Sequence, residues 1–94
     1  MPAKRYSLTI TRRAEKDMAD LPSKIGRQVV ANIERLRERL GAGLRPQDMK
    51  RLEGPSGFFR LDSGEYRIVL ALDEATATIT IVRVRHRKDV YRNL

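Results

Sequence analysis

Arg60-Leu61-Asp62-Ser63-Gly64-Glu65-Tyr66-Arg67 is the segment on which the reading of the chain turns. Ser-Gly between two stretches of apolar-polar alternation marks a β-hairpin. Two loop lengths are possible, and a slip of one residue would turn every side chain to the other face. A two-residue loop at Ser63-Gly64 sets position 60 opposite 67, pairs Leu61 with Tyr66 and Phe59 with Ile68, and leaves Arg60 and Arg67 as direct neighbours on the other face. A three-residue loop would instead put Glu65 and Arg67 beside Phe59 and Leu61, so the apolar pattern favours the shorter loop. Two arginines facing each other destabilise a sheet by some tenths of a kcal/mol unless an anion sits between them. The plainer alternative is that both reach Asp62 and Glu65 as weak surface ion pairs.

Working outward, Tyr6, Leu8 and Ile10 alternate with Ser7 and Thr9, which predicts a strand at roughly 4–10. Thr11 then offers a hydroxyl to cap a helix. Ala14, Met18 and Leu21 form one helical stripe, Pro22 interrupts it, and Ile25, Val29, Ile33, Leu36 and Leu40 form a second that stops at Gly41-Ala42-Gly43. Past Pro46 the chain reaches Met49–Leu52 and a turn at Gly54-Pro55-Ser56-Gly57. Strands follow at about 58–62, 65–73 and 76–85, and from Lys88 there is room for one helical turn or a tail.

In the last strand Ile79 and Ile81 share one parity while Val82 and Val84 share the other. A bulge near Ile81-Val82 would keep all the aliphatics on one face and bring Arg83 and Arg85 to the side of Arg60 and Arg67. The expected fold is α+β: an N-terminal strand, a helical hairpin, then an antiparallel β-meander with the helices on one face of the sheet and the other face open. With 94 residues and no internal repeat, one domain spanning 1–94 is expected.

Twenty Lys and Arg against twelve Asp and Glu give a net charge of +8, which points to a polyanionic partner. Arg83, Arg85, Arg87, Lys88 and Arg92 crowd the C-terminal stretch with Asp89 as its one acid, so Arg83, Arg87 and Lys88, with Lys50 and Arg51, are candidate RNA contacts. The longest apolar run, Ile68 to Leu72, is far below the ~20 residues of a membrane span. Residues Met1 to Tyr6 are not followed by the apolar core of a secretion signal. The lack of cysteine fits a reducing cytoplasm. One histidine and no cysteine leave no metal cluster, so no metal or small-molecule cofactor is expected.

Leu52-Glu53-Gly54, Arg60-Leu61, Ser63 to Val69 and Val84 to Tyr91, in this order and at these spacings, resemble the RelE/ParE toxin superfamily over nearly all of the chain. The resemblance implies the toxin half of a bacterial type II toxin–antitoxin pair. In the RelE branch this is a ribosome-dependent endoribonuclease that cuts messenger RNA in the A site, inhibits translation, and is silenced by an acidic antitoxin protein. Arg67 matches the family's arginine after the hairpin, Arg85 its arginine on the last strand, and Tyr91 its near-terminal tyrosine. Arg60 stands where the family often has a catalytic lysine, and His86 where some members carry a histidine. Phe58 departs from the best-known member, which is basic there.

The chemistry suits these residue types. Attack by the 2′-hydroxyl, giving a cyclic phosphate without a metal, requires that proton to leave, the 5′-oxygen to gain one, and the phosphorane charge to be neutralised. Arginine does the last by planar paired donors. His86 has the intrinsic pKa nearest neutrality, and Tyr91 is the second candidate proton carrier. With one histidine a two-histidine mechanism is excluded. Each candidate has a plainer role beside it: Tyr91 as a packing anchor or a base-stacking ring, and His86 as a surface residue. The alternatives at the level of function are the gyrase-poisoning ParE branch, without RNase activity, and a non-enzymatic nucleic-acid-binding module.

Overall fold

Thr11 closes one element and opens the next. Its hydroxyl accepts from the Ala14 N–H at 3.2 Å, the cap that its place before the Ala14-Met18-Leu21 stripe predicts. The computed structural model describes residues 5–92. It contains β1 (Ser7–Ile10), α1 (Arg12–Ala19), α2 (Ser23–Gly41), β2 (Met49–Arg51), β3 (Phe59–Ser63), β4 (Tyr66–Asp73) and β5 (Thr78–His86). Position 4, where the first strand was expected to begin, and positions 93–94 of the tail lie outside the described residues.

Pro22 serves as the N-cap of α2, where a missing N–H costs little. The helix buries Val29, Ile33, Leu36 and Leu40 at helical spacing. It ends in a Schellman turn, with Leu44 N–H donating to Arg39 C=O at 2.8 Å and Gly43, at φ 81, donating to Leu40 C=O at 3.0 Å. That stripe packs with Leu61, Ile68, Leu70, Ile79, Ile81 and Val84 of the sheet in one core. The strand order is β1-β5-β4-β3-β2, a meander of antiparallel pairs with β1 laid parallel to β5. The two helices supply the long crossover that a parallel pair needs. Among the described residues no helix is long and apolar enough to cross a membrane.

The β3–β4 hairpin corrects the expected pairing. Its loop is Gly64-Glu65 rather than Ser63-Gly64, with Ser63 opposite Tyr66, Asp62 opposite Arg67 and Leu61 opposite Ile68. Gly64 takes φ 58 at the first central position, the requirement of a type II′ turn. Ser63 is a strand residue because its hydroxyl, buried in the sheet, accepts from Asn32 Nδ2 of α2 at 2.9 Å. The pairing differs by two residues from the expected one, and a shift of two preserves the faces. Arg60 and Arg67 therefore share a side as expected, but Asp62 is the direct neighbour of Arg67.

The expected bulge is present. Leu70 pairs with Ile81 and Val69 with Arg83, so Val82 is the extra residue in β5. Ile79, Ile81 and Val84 all stay buried in the helix-covered core. Arg83 comes by register to the side of Val69 and Arg85, as expected, but its guanidinium turns to α1 and is not offered to RNA. It is 5 % exposed, and its Nε and Nη2 donate to Asp17 of α1 at 2.8 and 3.0 Å. Beyond the end of β1 the edge of β5 is bare, and the same carboxylate accepts the Val84 N–H at 3.0 Å. Asp17→Ala would strand a buried guanidinium, which costs about 3–5 kcal/mol. The expected outcome is a urea midpoint lowered to near the limit of foldedness, and partial recovery when Asp17→Leu is combined with Arg83→Met.

Candidate functional site

The face of the sheet away from the helices carries two rows of side chains set by strand pairing. In one row Lys50 of β2 lies opposite Arg60 of β3, which lies opposite Val69 of β4. In the next, Asp62 lies opposite Arg67, which lies opposite Arg85 of β5. The like-charged neighbours are thus Arg67 and Arg85. Four of the basic candidates, Lys50, Arg60, Arg67 and Arg85, are brought together on one side.

Asp62 is the anion that this cluster already holds. Its Oδ1 lies 3.1 Å from Arg60 Nε and 3.1 Å from Arg67 Nε, so the plainer sequence reading holds for Asp62. Glu65 pairs instead with Arg87, at 2.8 Å. Arg67 is oriented further by its Nη1, which donates to the carbonyls of Gly64 at 2.8 Å and Tyr66 at 3.1 Å. Arg60 Nε is shielded from solvent yet makes no aligned hydrogen bond. Arg85 has no carboxylate partner among the described residues.

The C-terminal turns cross this face. Tyr91 lies beside Arg60, and its hydroxyl is the main cause holding the guanidinium above its ordinary pKa, against desolvation and with help from Asp62. To reach Arg60 from the end of β5, the chain must pass over β4, where Val69 points to the same side. Val69 and Val90 are each 0 % exposed, although neither belongs to the helix-side core. Val69 is therefore buried on the side expected to be open, and Val90 is buried within the terminal turns. Tyr91 itself stays half exposed, beside a recess of ≈ 640 Å³ lined also by Leu52 and Pro55.

Three other candidates are placed elsewhere. Arg83 is held by Asp17, as described. Arg51 lies opposite Phe59 on the helix-covered side, where it and Arg45 stack on that ring at 5.8 and 5.1 Å. His86 pairs with Tyr66 and shares the parity of Val84, so it faces away from Arg85. Its imidazole meets the Tyr66 ring edge to face at 5.5 Å and its Nδ1 accepts from the Lys88 N–H at 3.2 Å. The groove beside it, ≈ 550 Å³, is lined by both signs of charge, including Arg13, Lys16, Asp20 and Asp89, and so does not suit a polyanion. By strand parity His86 stands on the side of Tyr66 and Val84, and Arg85 lines the same groove from the neighbouring position. Arg87 and Lys88 are exposed on the terminal turn.

Two features escaped the sequence reading: the capture of Arg83 by Asp17 and the burial of Val69. The second had a signal. The unbroken run Ile68 to Leu72 lacks the alternation of a one-sided strand and indicates burial on both faces. Among the described residues no group of three or more metal-ligating side chains is assembled.

Comparison with known proteins places these features in a family context. Residues 8–91 match the family model described as the ParE toxin of the type II toxin–antitoxin system parDE. The chain is 32 % identical over 91 residues to Toxin RelG of Mycobacterium tuberculosis, covering 93 % of this chain and 97 % of that relative. It is similar in structure to a chain of the toxin–antitoxin complex RelBE2 from the same organism, with a TM-score of 0.74, 28 % identity, and coverage of 88 % and 99 % of the two chains. The isolated Escherichia coli RelE toxin shares the fold at a TM-score of 0.69 and 22 % identity, covering 86 % of this chain and 83 % of that one.

Asp62→Asn removes the internal anion between Arg60 and Arg67. Its ion pairs are partly exposed, so the change should cost less than about 1 kcal/mol of stability. Affinity for a short single-stranded RNA, followed by fluorescence anisotropy at low salt, should rise several-fold. Unchanged affinity would show that RNA does not meet these two arginines.

Proposed function

Because the chain belongs to the ParE toxin family of type II toxin–antitoxin systems, within the RelE/ParE superfamily, we propose that it is a ribosome-dependent endoribonuclease that cuts messenger RNA in the A site and thereby inhibits translation. The observation that carries this reading is the gathering of Arg60, Arg67 and Arg85 on one sheet face, with Tyr91 beside Arg60.

In this reading the scissile phosphate displaces Asp62 and lies among the three guanidiniums. The 2′-oxygen attacks phosphorus, the 2′-proton passes to solvent, and the bond to the 5′-oxygen breaks, leaving a 2′,3′-cyclic phosphate and a 5′-hydroxyl. Fixed cations aimed at the developing phosphorane charge supply the largest part of such catalysis. Arg60 Nε, shielded and without a hydrogen bond, gains a partner when a phosphate oxygen arrives. Tyr91, which lies beside Arg60, gives its proton to the leaving 5′-oxygen. The recess between Tyr91, Leu52 and Pro55 is suited to a base stacked on the phenol ring. Lys50, Arg87 and Lys88 hold the flanking phosphates. No metal or small-molecule cofactor takes part.

The partners in the cytoplasm are then the ribosome with its message and a cognate acidic antitoxin. The antitoxin would be a partly helical chain that folds as it covers the basic surface. The similar Mycobacterium tuberculosis structure is itself a toxin–antitoxin complex. A second reading, a DNA gyrase poison, is favoured by one observation: the matching family model is that of ParE. New RNA ends on ribosome-bound message in a translating extract support the first reading. Loss of gyrase supercoiling with intact message supports the second.

Arg67→Ala and Arg85→Ala should each lower the cleavage rate by roughly 30- to 1000-fold, the range for losing one stabiliser of transition-state charge. Thermal melts should be little changed, since neither side chain is in the core. Tyr91→Phe keeps the ring and removes only the hydroxyl. A large rate loss with ribosome binding intact is the result expected of a proton donor, whereas full activity would assign the ring to stacking or packing alone.

A further inference from the structure

The terminal turns that deliver Tyr91 are built on one residue. Arg87 N–H donates to Glu65 C=O at 2.8 Å, which ties the exit of β5 to the β3–β4 loop. The next three amides all converge on His86. Lys88 N–H donates to its Nδ1 at 3.2 Å, Asp89 N–H to its carbonyl at 2.8 Å, and Val90 N–H to the same carbonyl at 3.0 Å. The two carbonyl bonds are available to any residue at this position. The Nδ1 bond requires a side-chain acceptor at the δ position, and the edge-to-face contact with Tyr66, at 78° between the rings, fixes the imidazole plane.

We propose that His86 is a positioning residue: its Nδ1 lone pair starts the terminal turn that carries the buried Val90 and places Tyr91 beside Arg60. An imidazole accepting at Nδ1 carries its proton on Nε2, so the tautomer is set by the turn. The side chain acts through the chain path and not on the substrate, consistent with its place on the opposite face from Arg67 and Arg85. The catalytic consequence rests on the ribonuclease reading, while the structural part stands without it.

Asparagine and glutamine separate the two nitrogens. Asn carries its amide oxygen near the place of Nδ1, whereas Gln reaches toward that of Nε2. Three properties of the purified protein and its His86→Asn and His86→Gln variants are to be measured. They are amide hydrogen exchange at Lys88 and Val90, the Tyr91 ring resonances, and ribosome-dependent cleavage. The ¹⁵N spectrum of the parent should show the Nε2–H tautomer. His86→Asn should keep the amide protection, the Tyr91 signals and most of the activity. His86→Gln should exchange Lys88 and Val90 roughly tenfold faster, the effect of one lost hydrogen bond. It should also shift the Tyr91 ring and lower kcat by roughly 10- to 100-fold with little change in KM, as misplacing a reacting group does. Protection retained in both variants while both lose cleavage would overturn the proposal in favour of proton transfer by the imidazole. Unchanged protection and unchanged cleavage in both would overturn it outright. If the parent cuts no RNA, the ribonuclease reading fails, and exchange and the Tyr91 signals still decide the role of His86.

Discussion

The Asp17 carboxylate accepts two hydrogen bonds from Arg83 and one from the Val84 amide, 12 % exposed on its own side chain and 6 % on its partner's. It does so where β5 has just absorbed its extra residue and β1 has ended. A bulge leaves backbone groups unpaired, and a buried unpaired amide is costly. The carboxylate removes that cost and at the same time ties α1 to the strand that carries Arg85. Without the bulge, Ile79, Ile81 and Val84 could not all enter the core while Arg85 stays on the far side. The position of the candidate site therefore depends on a contact made at the edge of β5 by a helix outside the site.

The far side is organised by a second, weaker arrangement. Arg67 and Arg85 stand directly opposite each other, and their repulsion is offset by Asp62 and by the loop carbonyls that Arg67 engages. An anion carried by the chain itself keeps the guanidiniums oriented in the absence of a phosphate, at the expense of competing with one. Over the neighbouring row lie Val69 and Val90, both fully buried. Burying an aliphatic side chain of this size is worth about 1.5–3 kcal/mol, comparable to or larger than a partly exposed ion pair. Burial of Val90 holds the terminal turns in place, and the bonds at His86 set the direction in which Tyr91 leaves them.

Much of this was legible in the residues. The caps and stripes of both helices, the α+β order and the bulge at Val82 follow from hydrophobic period and parity. The hairpin pairing was displaced by two residues, yet Arg60 and Arg67 kept their common face, because side-chain direction in a strand repeats every two residues. The side taken by His86 also follows from parity, because it alternates with Arg85 and shares that of Val84.

What the sequence by itself determined is whatever depends on neighbours along the chain: which residues alternate, where a helix is capped, which face a side chain takes once its strand is recognised. Only the tertiary structure decided the rest, because each case required a partner distant in sequence. Ser63 became a strand residue because Asn32 reaches it. Arg83 left the RNA-facing set because Asp17 lies beside it. The expected open face is partly closed, since Val69 is fully buried there and Tyr91 comes to lie beside Arg60. Charge and hydrogen-bonding capacity are local properties of a residue, but their satisfaction is not, and no periodicity in one chain shows which of several arginines will find its carboxylate.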